Sequence, residues 1–195
     1  MTSSENPETR STDTGFAAAL QGAADIAALA GAWVAGLCIA ALTVLVLVDT
    51  IMAFLSRYIP ALPSGTGIGW EYSAYLMGSA FVLGSGLTLR AGLQLRVSVL
   101  VSTKMHRLTR LLEIFASALG SVVTVFLTVW LARFTMRTYG YGEVSQDSFT
   151  PLWIPQLVLT IGIASLAFQM IARLVSGLSG NEMNKPDLGV TSAVE

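Results

Sequence analysis

Residues 26–48 read IAALAGAWVAGLCIAALTVLVLV, 23 residues in a row without a charged side chain. A helix needs roughly 20 predominantly apolar residues to cross the hydrocarbon core of a bilayer, so this stretch is long enough to span it. Three further apolar stretches follow, at residues 72–89, 114–132 and 152–172. Because lipid offers no hydrogen bonds to the backbone, we expect each stretch to form a helix.

The composition of the whole chain agrees with a membrane environment. Of its 195 residues, 53% are hydrophobic and 12% are charged, whereas an average soluble domain has about 25% charged residues. The sequence therefore predicts an all-α integral membrane protein with four transmembrane helices, over about residues 26–55, 70–90, 108–137 and 150–175. We expect one domain, residues 25–176, between disordered polar tails at residues 1–24 and 177–195.

Several functional classes are disfavoured by what the chain lacks. It has one cysteine and one histidine, too few for a cysteine metal cluster, a histidine zinc site or a bis-histidine haem site. A net charge of −1 gives no basic footprint for nucleic acid, and no phosphate-binding loop is present. We expect no enzyme activity, no catalytic, cofactor-binding or metal-binding residues, and no nucleic-acid partner.

The distribution of basic residues predicts the orientation in the membrane. Eight of the 11 Lys and Arg residues lie in the two terminal regions or in the connector between the second and third spans. The other side has three: Arg57, Arg133 and Arg137. The positive-inside rule places both termini and the middle connector in the cytoplasm. That connector, residues 92–107, alternates apolar and polar residues, so we expect a segment lying along the membrane surface.

Two ionisable residues near the outer ends of spans are expected to meet. Asp49 is close to the outer end of the first span, and Arg133 is at a similar depth near the end of the third. A charge in the membrane is costly and is usually paired or functional. The pair could fix the register of the helices or serve as an ion or proton relay. The structural role is favoured, because relays usually need more titratable groups.

Glu71 is at the start of the second span, where the helix dipole favours an anion. Arg57, at the end of the first span, is its possible partner. Apart from such end residues, the four spans have few polar side chains, and no matching Gly/Pro interruptions like those of broken transporter helices. The chain is therefore expected to be a subunit rather than a complete transporter.

Three motifs resemble one family. Arg57-Tyr58 closes the first span and Trp70-Glu71-Tyr72 opens the second; Leu89-Arg90-Ala91-Gly92 precedes Arg96-Val97; and residues 148–156 read SFTPLWIPQ. In order and position these resemble the small membrane subunit, the DctQ-like or Q component, of tripartite ATP-independent periplasmic (TRAP) transporters. Gln94 stands where the family commonly has a histidine, and Ser98 where it commonly has an acidic residue.

The resemblance implies a function and two protein partners. The chain would be the small permease subunit in the inner membrane of a bacterium or archaeon, scaffolding a large multi-span subunit during binding-protein-dependent uptake. An ion gradient would drive import of an organic acid or related solute, which a periplasmic solute-binding protein captures. The alternative is a stand-alone four-helix carrier or channel, although the first span has no acidic residue before Asp49.

The resemblance and the expected topology also suggest contact residues. Candidates for the subunit or lipid interface are Arg57, Trp70, Glu71, Arg90, Arg96 and Trp153. Candidates for docking the binding protein are Tyr139, Tyr141, Glu143 and Asp147, on the predicted outer face. For the docking residues the simpler interpretation is an aromatic belt at the headgroup level with solvated charges beside it.

Overall fold

A computed structural model describes residues 15–91 and 106–179, which form four helices. They are α1 (Gly15–Leu55), α2 (Gly69–Arg90), α3 (His106–Tyr141) and α4 (Trp153–Ser179). Within the described residues the only β-pairing is an isolated bridge between Val144 and Pro151. The all-helical fold predicted from the sequence is confirmed. Residues 92–105 of the predicted surface segment, with Arg96, and residues 1–14 and 180–195 of the predicted tails lie outside the described residues.

Three helices, α1, α3 and α4, extend beyond their predicted bounds. α1 begins at Gly15, so the predicted polar tail is wrong over residues 15–24, where alanines and leucine favour a helix. At 1.5 Å per residue its 41 residues extend for about 60 Å, twice the hydrocarbon thickness of about 30 Å. α3 continues to Tyr141 and α4 to Ser179, beyond the predicted ends at about 137 and 175.

Three of the four helices are long and apolar enough to cross a membrane. The qualifying segments are Ala19–Leu55, Leu111–Tyr141 and Trp153–Leu178. α2 is shorter, with 22 residues, and its glycines, serines and tyrosines dilute its apolar character. A fourth span at α2 remains a prediction, as does the cytoplasmic position of the termini.

The helices pack as two hairpins joined through α4. α1 packs against α2, α3 packs against α4, and α4 also contacts both α1 and α2. Small residues bring the backbones together. Gly31 and Ala35 of α1 show the four-residue spacing of small residues that favours close approach of helices. A Cβ on Gly31 of α1 would lie 2.8 Å from the carbonyl oxygen of Leu83, and one on Gly162 of α4 would lie 2.7 Å from Val82. In the described part of the chain, α3 contacts neither α1 nor α2.

The face of α3 that meets α4 is a seam of hydroxyl residues. Its buried members are Ser117, Ser121, Thr124, Thr135 and Thr138. Most of these hydroxyls donate to the carbonyl oxygen four residues earlier, which satisfies them within the helix. One crosses to the neighbour: the Thr135 and Thr160 hydroxyl oxygens are 3.1 Å apart. The Thr138 hydroxyl is the exception: it is buried and has no hydrogen-bond partner among the described residues. The small hydroxyl side chains allow α3 and α4 to pack closely.

Candidate functional site

Asp49 caps the loop between α1 and α2, which the sequence predicts to lie on the outer side. Its carboxylate accepts a hydrogen bond from the Thr66 backbone N–H at 2.8 Å. It also lies directly against Gly69, the first residue of α2, where an added Cβ would collide with the carboxylate. Ile68, the N-cap residue of α2, makes no side-chain hydrogen bond to the end of the helix. An anion from α1 thus stands at the positive end of the α2 dipole.

The predicted Asp49–Arg133 pair is not formed in this structure. α1 and α3 do not contact each other in the described residues, and Asp49 is satisfied by the loop instead. Similar depth along two helices was not sufficient, because Arg133 is on an exposed face of α3 that points away from the bundle. There it closes the outer end of an open groove of about 530 Å³, which also includes Val122, Phe126 and Trp130.

Glu71 and Tyr72 fasten α2 to the loop between α3 and α4. Glu71 is only 5% exposed; its carboxylate accepts hydrogen bonds from the Tyr75 hydroxyl and, at 3.3 Å, from the Ser148 backbone N–H. The Tyr72 hydroxyl is 2.8 Å from the Thr150 hydroxyl. We name this set of contacts the outer clasp, after the orientation predicted from the sequence. The partner suggested from the sequence, Arg57, is exposed and is not part of it.

The loop held by the outer clasp is a small, defined structure. The Val144–Pro151 bridge closes it, with hydrogen bonds from Ser145 N to Thr150 O (2.9 Å) and from Leu152 N to Glu143 O (3.1 Å). Phe149 has a φ of 53°, unusual for a residue that is not glycine. Its side chain is 75% exposed.

The residues predicted to dock a binding protein share this end of the molecule. Tyr139, Tyr141, Glu143 and Asp147 are all exposed. Tyr139 makes an edge-on contact with Trp153, with ring centroids 5.5 Å apart. Phe149 was not among the predicted residues, because nothing in the sequence distinguishes an exposed aromatic in a loop from a buried one.

At the opposite end, α1, α2 and α4 share a buried polar cluster. The Arg90 guanidinium, at the end of α2, forms an ion pair with Asp25 of α1; its Nε donates to Oδ1 at 2.8 Å. Arg90 also donates to the Gln21 carbonyl oxygen at 3.0 Å. The Gln21 side chain hydrogen-bonds Ser176 of α4. Arg90 is 4% exposed, so it connects helices of this chain. The sequence analysis placed it among the interface candidates, but its side chain does not face lipid or another subunit.

Two of the remaining interface candidates are exposed at the surface of the described chain. Trp70 is 70% exposed and Arg57 is exposed, whereas Trp153 is half-buried against Tyr139. Glu71 is enclosed by the outer clasp and is not free for an interface. Arg96 lies outside the described residues.

Most of the exposed large hydrophobic side chains among the described residues lie on α1 and α3. On α1 the most exposed side chains include Ile26, Trp33, Leu37 and Val44. On α3 they include Phe115, Val122, Phe126 and Met136. Soluble proteins rarely expose contiguous apolar surface of this kind, so lipid or another membrane protein is expected to cover both faces.

The described residues offer no constellation for metal chemistry. They contain no group of three or more His, Cys, Asp or Glu side chains placed to hold a metal ion. Cys38 is a free thiol, half-buried in α1. The polar groups instead connect elements of the chain to one another.

Comparison with known proteins identifies the family. A family model for the DctQ component of tripartite ATP-independent periplasmic transporters matches residues 42–180. No curated protein and no solved structure matches the chain. The matched region covers the last third of α1, the other three helices and the outer clasp, more than half of the sequence. The chain belongs to the DctQ component family and is therefore a small membrane subunit of a TRAP transporter.

Proposed function

We propose that this chain is a scaffold for the large membrane subunit during ion-gradient-driven uptake of an organic acid or related solute. A periplasmic solute-binding protein delivers the solute, and both termini of this chain are in the cytoplasm. The chain then contributes a contact surface and a rigid frame, not a solute pathway. Choice of solute belongs to the other two components.

The observation that carries the proposal is the distribution of polar and apolar groups. Arg90, Asp25, Glu71 and Asp49 are each engaged with other parts of this chain. Two long apolar faces remain exposed. A carrier needs binding groups that line an enclosed route, and the polar groups described above line none.

The α3 face is the better candidate for the large subunit. α3 is supported by α4 alone among the described helices, so a partner on its other side would complete its packing. Arg133 closes the groove on this face, and no carboxylate pairs with it within the described residues. A carboxylate of the large subunit near the outer membrane boundary would complement it. The exposed face of α1, at residues 26–48, has no charge to pair and suits lipid.

Co-purification tests this proposal. The tagged chain is extracted in mild detergent with its large subunit, and the ratio of the two is measured. Val122→Trp, on the exposed α3 face, is expected to reduce recovery of the large subunit; Val44→Trp, on the exposed α1 face, is the matched control and should leave it unchanged. If the chain is recovered alone and moves solute in liposomes, it is a stand-alone carrier and the scaffold proposal is wrong.

The orientation has its own test. Reporter domains that are active only in the cytoplasm or only in the periplasm are fused after Glu195. Activity of the cytoplasmic reporter alone supports the proposed topology. Activity of the periplasmic reporter would invert it, and would place the outer clasp in the cytoplasm.

A further inference from the structure

The loop between α3 and α4 presents one aromatic side chain in an unusual conformation. Phe149 adopts a φ of 53°, in the left-handed region that bulky residues avoid. Its ring is 75% exposed, so burial in this chain does not compensate for the strain. Strained residues persist where the surroundings fix them, and they concentrate at functional sites.

The contacts on either side of Phe149 impose this conformation. Ser148 is held by Glu71 through its backbone N–H, and its hydroxyl donates to the Thr150 hydroxyl at 2.8 Å. Thr150 is held by the Tyr72 hydroxyl at 2.8 Å and accepts from Ser145 N at 2.9 Å. The backbone is therefore anchored both before and after Phe149. The ring therefore projects from a loop whose backbone is already ordered. This lowers the entropy cost when a partner binds the ring.

The charges around the ring decide what kind of surface it suits. The loop between α3 and α4, residues 142–152, contains Glu143 and Asp147 and no Lys or Arg; the nearest basic residue before it in the chain is the exposed Arg137 on α3. Both acidic side chains are exposed. Anionic lipid headgroups would be repelled by this loop, whereas a protein surface with basic residues would be attracted to it.

We propose that Phe149 is the anchor by which the solute-binding protein docks on this subunit, inserting into an apolar pocket that has basic residues at its rim. This inference rests on the proposed function, which places the loop on the periplasmic side and names the binding protein as a partner. Glu143 and Asp147 supply the complementary charge. The outer clasp holds the loop backbone so that the Phe149 ring stays exposed.

The test measures binding of the cognate solute-binding protein to the intact complex. The tagged chain and its large subunit are placed together in lipid nanodiscs, and the dissociation constant is measured directly. Phe149→Ala is expected to weaken binding by about tenfold or more, as for a central aromatic anchor. Phe81→Ala, on α2 and outside the α3 face, removes a comparably exposed phenylalanine (79%); it is the matched control and should leave the constant unchanged.

A second variant separates docking from loop conformation. Phe149→Gly also removes the ring, but glycine adopts a positive φ without strain. If the ring is the anchor, the Ala and Gly variants weaken binding equally. If Phe149 matters only through the loop backbone, the Gly variant should bind like the natural chain, and the proposal is wrong.

Charge provides the third measurement. Replacing Glu143 and Asp147 together by glutamine is expected to slow association and to reduce its dependence on salt. Unchanged association at low salt would contradict the proposed basic rim. If the Phe149 variants bind the solute-binding protein normally but are recovered from the membrane in smaller amounts, the ring contacts lipid. That result would exclude the docking role.

The outcomes distinguish this inference from the function beneath it. Failure to recover the large subunit with the natural chain would remove the proposed function. Recovery of the complex, with binding that is insensitive to both Phe149 variants, would remove only the docking role of Phe149.

Discussion

Loss of the Asp25 carboxylate is expected to destabilise the chain more than any other single removal of a charge. Asp25→Ala leaves the Arg90 guanidinium, 4% exposed, without its counterion. The Gln21 carbonyl oxygen at 3.0 Å remains as an acceptor but does not neutralise the charge. Breaking a buried ion pair from one side costs about 3–5 kcal/mol. That is a large share of a net stability of about 5–15 kcal/mol.

The assay is unfolding of the purified subunit complex in mixed micelles, followed by helical circular dichroism as denaturing detergent is added. Asp147→Ala is the matched control, since its side chain is exposed in the outer loop; a change within about 0.5 kcal/mol is expected there. The double variant Asp25→Met with Arg90→Met removes both charges and should recover most of the loss. Two results would contradict this expectation: Asp25→Ala unfolding at the same detergent fraction as Asp147→Ala, or the double variant unfolding at the same detergent fraction as Asp25→Ala.

Three further changes test the contacts of the other elements. Gly69→Ala drives a methyl group into the Asp49 carboxylate and should cost about 1–3 kcal/mol in the same unfolding assay; Gly22→Ala, with open space around it, should gain stability or leave it unchanged. Thr135→Val removes the hydroxyl contact to α4 and should cost about 0.6 kcal/mol, the usual value for an interhelical hydrogen bond in a membrane; a loss above about 2 kcal/mol would show that the seam acts as a unit. Phe149→Gly relieves the positive φ and should raise the free energy of unfolding by about 1 kcal/mol relative to Phe149→Ala; equal free energies of unfolding would mean that the loop is not strained.

Local patterns predicted the helices and part of their packing. An uncharged run of bilayer length specifies a helix by itself, because lipid leaves the backbone no other partner. The spacing of Gly31 and Ala35 on α1, and of Gly84 on α2, likewise marks a face that lets helices approach, and the structure uses it. Both signals lie within one segment and need no knowledge of its neighbours.

The site depended on relations that a sequence does not encode locally. Depth along the helix suggested Asp49 with Arg133, but depth does not reveal which helices are adjacent or which way a side chain points around its helix. Arg90 resembled an interface residue while Asp25 was taken for the border of a polar tail; once α1 extends to Gly15, the two lie within reach. The backbone angle of Phe149 follows from contacts with α2, more than 70 residues earlier in the chain.

The uneven packing of α3 has a consequence for how the chain is made. α1 and α2 form one tightly packed hairpin, and α3 and α4 form a second, with α4 as the bridge between them. Each hairpin can leave the insertion machinery as a finished pair, and the two can associate sideways in the bilayer afterwards. Since α3 takes no part in that association within the described residues, its outward face is already available before the subunit is complete. If the α3 face binds the large subunit, as proposed, we expect that subunit to be recruited during synthesis, before this chain is complete.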